Sequence, residues 1–326
     1  MLKRVLFFAL SGSLALGGCS SSSTSNPPPP APQTLYVGNC AGAASSITEY
    51  PAGTATGNVA PTTTIAGAAT LLSCPEGITF DAAGTMYVAD CGNTVIEFAS
   101  GASGNVAPLR QITGLSCPVG VAIDAAGNLY VGDFGAKKVY VFAPGANGAA
   151  VPLRSIDVTA AGLNHADYVH FDTSGNLWVS EESNPTPNNE HVVAYAPGAS
   201  GAAVPVFAIN GAATQLSGAL GMTLDASNTI YVANFSSNAI TVYPASSNGN
   251  VAPTRVVSGA LTQLISPFGI AFDNAGNYYV TNCTTGAPPP DSVTVFPAAA
   301  SGNVAPTRDI AGAATGLKCP WGVALR

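Results

Sequence analysis

Apolar residues alternate with small or polar ones in short runs along most of this chain, a period of two that predicts half-buried strands. The runs return in one order. The fullest copy is Gly120-Val121-Ala122-Ile123-Asp124-Ala125-Ala126-Gly127-Asn128-Leu129-Tyr130-Val131, and variants stand at 77–88, 168–179, 221–232 and 269–280. A sixth copy is split: its second half, Leu35-Tyr36-Val37, lies near the start, and its first half, Trp321-Gly322-Val323-Ala324-Leu325, lies at the end. Tyr36, Tyr87, Tyr130, Trp178, Tyr231 and Tyr279 mark the copies at intervals of 43 to 53 residues. A repeat of this length built from strands predicts an all-β, six-bladed β-propeller with four antiparallel strands per blade. The split copy predicts that the C-terminal strand joins the N-terminal blade and closes the ring. Residues 35–326 then form a single propeller domain, because each blade buries its faces only against its neighbours.

The third blade shows the plan. Strand A is predicted over 120–123 and strand B over 129–131. Between them, Asp124 to Asn128 read as a hairpin turn, with the Asp carboxylate accepting turn N–H groups and Gly127 free to take positive φ. Strand C follows over 139–142 and strand D near 153–156. Asp81, Asp124, Asp172, Asp225 and Asp273 share the turn position, a recurrence that hairpin geometry explains better than catalysis does. Arg110, Arg154, Arg255 and Arg308 recur on strand D, where charge on an outer edge blocks edge-to-edge pairing.

The phrase Leu129-Tyr130-Val131-Gly132-Asp133 and its variants resemble the NHL-repeat propellers and their relatives across the whole of 35–326. That resemblance implies the fold. It spans peptide, protein and glycan binders, gluconolactonase-like hydrolases and streptogramin lyase-like enzymes, among which fold alone does not choose.

Ahead of the repeats, Lys3 and Arg4 precede an apolar stretch from Val5 to Leu16 and then Leu16-Gly17-Gly18-Cys19. This pattern resembles a bacterial lipoprotein signal: 1–18 as signal peptide, and Cys19 as the lipidated first residue. The stretch is too short for a permanent membrane span, and several acyl chains would anchor the mature protein. Residues 19–34 hold the lipidated Cys and a Ser/Pro-rich tether, flexible in its Ser part and stiff in its Pro part. The expected location is extracytoplasmic, on a bacterial membrane; Ser20 resembles the sorting residue for an outer membrane where the host has one. Without Lys3 and Arg4, 8 basic residues face 17 acidic ones. That balance argues against a phosphate-binding surface and against nucleic acid as a partner. A monomer is expected.

Apart from Cys19, six cysteines occupy two places in the repeat. Cys74, Cys117 and Cys319 precede strand A; Cys40, Cys91 and Cys283 follow strand B. Pairing each strand-B Cys with the Cys ahead of the next blade's strand A uses all six with one geometry: Cys40–Cys74, Cys91–Cys117 and Cys283–Cys319. An oxidising location permits these bonds. One Cys per loop around a ring does not converge on a single metal ion.

The D–A and B–C connections share one face, and three constellations there carry candidate chemistry. The first is the ring Asn39, Asp90, Asp133, Glu181, Asn234 and Asn282, each ending a strand B; it could hold a cation or sugar, or each side chain could cap the loop beside it. The second is the position after the start of strand A: Trp321, Glu76, Val119, Asp167, Leu220 and Phe268. Leu220, Phe268 and Trp321 belong to consecutive blades and would make an apolar arc, with Glu76 and Asp167 elsewhere around the mouth, either as a ligand surface or as packing between blades.

The third constellation is in blade four. His165, His170 and His191 fall there with Asp167, Asp172, Glu181, Glu182 and Glu190, and Ala166-Asp167-Tyr168 replaces the usual Pro-x-Gly. Its B–C loop gains an insertion at 183–189. Imidazole with carboxylate can bind a divalent ion or act as acid and base, so His165, Asp167, His191 and Glu181 are the candidate catalytic residues, and His165, His191 and Glu181 the candidate ligands of a divalent cation. No cofactor is required for the leading expectation, a membrane-anchored module binding a peptide, protein or glycan. The alternative is a metal-assisted lyase or lactonase centred on blade four; a purely architectural envelope protein is a third.

Overall fold

In the computed structural model, residues 33–182, 191–284 and 290–326 are described. Their alternating runs form 24 strands in six four-stranded antiparallel sheets. Blade one is β1 (Thr34–Asn39), β2 (Ser46–Pro51) and β3 (Thr63–Ala66), completed by the last strand of the chain. Blade two is β4 (Pro75–Phe80), β5 (Met86–Asp90), β6 (Thr94–Phe98) and β7 (Arg110–Ile112). Blade three is β8 (Pro118–Ile123), β9 (Leu129–Asp133), β10 (Lys138–Phe142) and β11 (Arg154–Asp157). Blade four is β12 (Val169–Phe171), β13 (Leu177–Ser180), β14 (His191–Tyr195) and β15 (Phe207–Asn210). Blade five is β16 (Ala219–Leu224), β17 (Ile230–Asn234), β18 (Ala239–Tyr243) and β19 (Arg255–Ser258). Blade six is β20 (Pro267–Phe272), β21 (Asn277–Asn282), β22 (Ser292–Pro297) and β23 (Arg308–Ala311). The last strand, β24 (Pro320–Leu325), pairs antiparallel with β1, with Leu35 opposite Leu325 and Val37 opposite Val323. The ring closes there, between the two ends of the repeat array.

The hairpin turns between strands A and B follow the predicted chemistry. Asp124 Oδ1 accepts from the N–H groups of Ala126 and Asn128, and the Asn128 amide donates to Oδ2 at 2.8 Å. Asp172 and Asp273 repeat the arrangement with Asn176 and Asn277. Buried apolar residues gather between blades: Val139, Val141 and Ile156 of blade three meet Leu177, Val179 and Val193 of blade four, and each further interface has its own cluster. Half-buried strands thus become core only when the neighbouring blade covers them.

The strand-D arginines do more than charge an edge, which corrects the expectation drawn from their position. Arg154, Arg255 and Arg308 lie over the rings of Tyr130, Tyr231 and Tyr279, 5.3 to 5.5 Å from their centroids. Each donates to its tyrosine hydroxyl, and Arg255 and Arg308 donate also to the carbonyls of Ala298 and Ala52 in the next blade. Arg110 instead pairs with buried Glu97 at 2.5 Å. A planar guanidinium can stack and fork at once, so Arg154, Arg255 and Arg308 tie strand D to strand B, and Arg255 and Arg308 tie it to the adjoining blade as well.

A second tie runs along the outside of the ring. After strand D, four blades write Gly-Ala-Ala-Thr or Gly-Ala-Leu-Thr, which folds into short 3-10 turns at Ala68–Thr70, Ala212–Thr214, Ala260–Thr262 and Ala313–Thr315. The N–H groups of Ala69, Ala213, Leu261 and Ala314 donate to Asn105, Asn250, Asn303 and Asn58 of the following blade at 2.7 to 2.8 Å. Blades two and three lack the Gly-Ala-Ala-Thr phrase, and the blades after them carry Ala149 and Ala202 where the Asn would stand. Donor turn and acceptor side chain come and go together.

Candidate functional site

The third residue of strand A sets the bore of the ring. It is glycine in five blades (Gly77, Gly120, Gly221, Gly269, Gly322) and Tyr168 in blade four. A Cβ on Gly322 would lie 1.8 Å from the Glu76 carbonyl oxygen, one on Gly221 1.8 Å from that of Phe268, and one on Gly120 2.4 Å from that of Asp167. Backbone packs on backbone around this waist, and only glycine allows it. In blade four the strand begins later, at Val169, and the Tyr168 side chain crosses towards the opposite blade, where its hydroxyl donates to the Trp321 carbonyl at 3.2 Å. On one side of Tyr168 is an axial channel of about 480 Å³ lined by strand A of every blade, including Phe80, Ile123, Phe171 and Leu325. His170 stands in that wall, where burial of its charged form pushes its pKa down to about 4 against the opposing pull of Asp172.

On the other side is the mouth formed by the D–A and B–C connections. Leu220, Phe268 and Trp321 meet there, as the arc predicts, and Tyr168, Phe235, Cys283 and Cys319 pack with them. The Phe268 and Trp321 rings stack with centroids 4.5 Å apart, and Phe235 meets Phe268 edge-on at 5.0 Å. The Trp321 indole N–H donates to Cys319 Sγ at 3.0 Å. Val119 is buried.

Glu76 and Asp167 also belong to this level, apart from the aromatic arc. Both are buried. Asp167 Oδ2 accepts from the Glu182 N–H at 2.5 Å, whereas Oδ1 is buried with no hydrogen-bond partner among the described residues. Glu76 Oε1 lies 3.9 Å from Cys74 Sγ, a disulfide sulfur with no proton to donate. Burial first, and then their acidic neighbours, push both carboxyls well above the usual range: Asp167, Asp90 and Glu182 act on Glu76, and Glu182 and Glu181 act on Asp167. The same field, after burial, raises the Tyr168 phenol.

The ring of residues that ends strand B caps loops. Asp90 accepts from Ser73 N–H, Asp133 from Ser116, Glu181 from Asn164, Asn234 from Ser217, Asn282 from Ile265 and Asn39 from Lys318. All six are buried. Each joins its own strand B to the loop leading into strand A of its own blade, a structural use of the repeated polar position.

The six cysteines beside this ring are bonded Cys40–Cys74, Cys91–Cys117 and Cys283–Cys319. They staple blade six to one, one to two and two to three. Between blades three and four the same two repeat positions hold Phe134 and His165, whose rings stack at 3.8 Å and 5°. His165 Nδ1 faces the Phe134 carbonyl at 3.3 Å. Aromatic stacking thus takes the place of a disulfide at that seam. Phe235 occupies the strand-B Cys position in blade five. That was the signal by which Phe134 and Phe235 could have been singled out: they fill places that cysteine holds elsewhere in the repeat.

The blade-four candidates fall into three separate arrangements. His165 stacks on Phe134, Asp167 takes the Glu182 N–H, and buried His191 faces Glu181 at 3.3 Å through Nδ1. Glu190 and the insertion at 183–189 lie outside the described residues. Among the described residues, one group of three metal-ligating side chains brings its atoms within 4.8 Å: Glu76, Cys91 and Cys117. This cluster, of which Glu76 is buried and both cysteines are half-buried, could coordinate a divalent cation once its sulfurs are thiolates; in the bonded form Cys91 and Cys117 are committed to each other.

No family model matches the chain, and no curated protein does. Among solved structures it is similar to a protein of unknown function from Bacteroides caccae, with a TM-score of 0.65 and 11% identity over 90% of this chain and 98% of that one. The two share a fold. At that identity the likeness carries nothing about ligand or chemistry.

Proposed function

We propose that this protein is an NHL-like binding propeller, held at an extracytoplasmic membrane surface by a lipidated Cys19, that recognises a peptide, protein or glycan at the mouth built from the D–A and B–C connections. The observation that carries this is the Phe268–Trp321 stack, with Leu220, Phe235 and Tyr168 beside it and Trp321 still half-exposed. A half-buried indole backed by the buried Phe268 ring and a rigid ring of blades makes a stacking platform for a ligand.

Trp321→Ala tests the placement. The variant should keep its fold, because Trp321 is not enclosed, and should bind a peptide or glycan ligand at least about tenfold more weakly. Trp178 is enclosed and bonded to Asp172 at 3.1 Å, so ligand-dependent changes in tryptophan fluorescence should come from Trp321 and vanish in the variant. A bound ligand that leaves the fluorescence unaltered would place the site elsewhere.

The alternative, a metal-assisted lyase or lactonase at blade four, draws its support from the His191–Glu181 pair. Calorimetric titration of chelator-treated protein with divalent cations separates the two functions. The binding module should show no blade-four metal tighter than about 10 μM, and a tighter ion lost in His191→Ala would favour the enzyme.

A further inference from the structure

The mouth carries two surfaces suited to different parts of one ligand. Across blades five, six and one lies the aromatic wall of Phe235, Phe268 and Trp321. Across blades two and four lie Glu76, Asp167 and Glu182. Tyr168 belongs to both: it packs with the wall, and it lies within the electrostatic reach of Glu76 and Asp167. The charged groups acting on Glu76 and Asp167 are all acidic. Carboxylates clustered at a surface are common and mean little alone. Here, however, Asp167 is fully buried and its Oδ1 has no partner among the described residues, and Glu76, 1% exposed, has Oε1 against a disulfide sulfur. Native folds pair nearly all buried polar atoms, so an unpaired carboxylate oxygen beside a second buried acid is a place where a donor from a ligand would gain a hydrogen bond.

Building on the binding function above, we infer that the mouth receives a lysine or arginine side chain from a peptide or protein partner, its cation directed at Glu76 and Asp167 and its methylene stem laid along Phe268 and Trp321. The chemistry of each surface selects this occupant. A cation gains from an aromatic face, most of all from Trp, and its aliphatic stem gains from apolar contact. A buried carboxyl gains a charge-assisted hydrogen bond in place of an unpaired oxygen. A neutral sugar would stack on the wall and leave the acids unanswered. A calcium ion needs six to eight oxygens, and among the described residues the only three-ligand group is Glu76 with two disulfide-bonded sulfurs. The acidic balance of the chain adds long-range attraction for a basic partner.

Calorimetry and tryptophan fluorescence on the full chain in detergent would test this with three probes: acetyl-Gly-Lys-Gly-amide, its norleucine counterpart, and maltotriose. The lysine peptide should bind about tenfold or more tightly than the norleucine peptide. Glu76→Gln and Asp167→Asn should each remove most of that difference, and raising salt from about 50 mM to about 500 mM should weaken it. Circular dichroism checks that each variant is folded, and Glu76→Gln stands as the deciding variant if Asp167→Asn does not fold. Equal binding of the lysine and norleucine peptides overturns the inference, as does an affinity unchanged within about twofold in Glu76→Gln. Calcium that binds and blocks the lysine peptide also overturns it, in favour of a metal site. If maltotriose or the norleucine peptide perturbs Trp321 while lysine confers no advantage, the binding face stands and the cationic occupant falls. If a probe binds and Trp321→Ala changes nothing, the binding face itself falls.

Discussion

Gly322→Ala should cost this protein on the order of 3 kcal/mol, seen as a fall in melting temperature of about 5–10 °C. Its Cβ would stand 1.8 Å from the Glu76 carbonyl oxygen, and that oxygen belongs to the backbone of the adjoining blade, which has no rotamer to yield. Relief requires blades one and two to separate at the axis, and every neighbouring interface then shifts with them. Gly53→Ala is the matching control: nothing lies within 4 Å of a Cβ there, so stability should stay within about 0.5 kcal/mol. Gly221→Ala, with the same 1.8 Å approach to the Phe268 carbonyl oxygen, should reproduce the loss at the contact between blades five and six. Equal melting of Gly322→Ala and Gly53→Ala would mean that the waist is looser than its backbone contacts imply.

Removing the Cys283–Cys319 bridge is the second large effect. The double variant Cys283→Ser/Cys319→Ser should lose about 4 kcal/mol, the loop-closure entropy expected for a separation of 36 residues. Its position adds to the consequence. Cys319 immediately precedes β24, the strand that closes the ring on β1, so the bond holds the closing strand to blade six. Amide exchange at Leu35 to Asn39 should therefore accelerate in the variant more than exchange at β13 or β17, in blades without a disulfide. Denaturant titration gives the stability, and a reducing agent should destabilise the native chain more than it does the variant. Uniform acceleration across all six blades would show that the seam has no special dependence on this bond.

Much of this was open to inspection in the order of the residues. Alternation with period two, turn Asp and Gly at fixed offsets, and six copies with one of them split suffice for blades, their strands and the closure at β1 and β24. The cysteine pairs followed from the same bookkeeping, since two residues at recurring places in a repeat have one recurring distance. Two further regularities were equally present. Asn58, Asn105, Asn250 and Asn303 appear only where the preceding blade writes Gly-Ala-Ala-Thr or Gly-Ala-Leu-Thr, and Phe134 with His165 occupy places that cysteines fill elsewhere. Such pairs are legible because neighbouring blades repeat one relation.

The strand-D arginines mark where that legibility stopped. Their recurrence is plain, but a guanidinium lying over Tyr130, Tyr231 or Tyr279 is a statement about side-chain direction across a sheet, and an edge position alone points only to a block on edge-to-edge pairing. The candidate site lies further from the pattern. Trp321, Phe268 and Leu220 were assembled from their shared repeat position, yet the reach of Tyr168 across the axis to the Trp321 carbonyl joins blades four and one, which no repeat relation connects. The blades, their number, their closure and the ties between neighbours can be read from the order of residues, because these are local geometries written six times over. What meets across the bore becomes visible only in the closed ring, because contact between opposite blades depends on the radius of the whole ring and on the single position where a tyrosine replaces glycine.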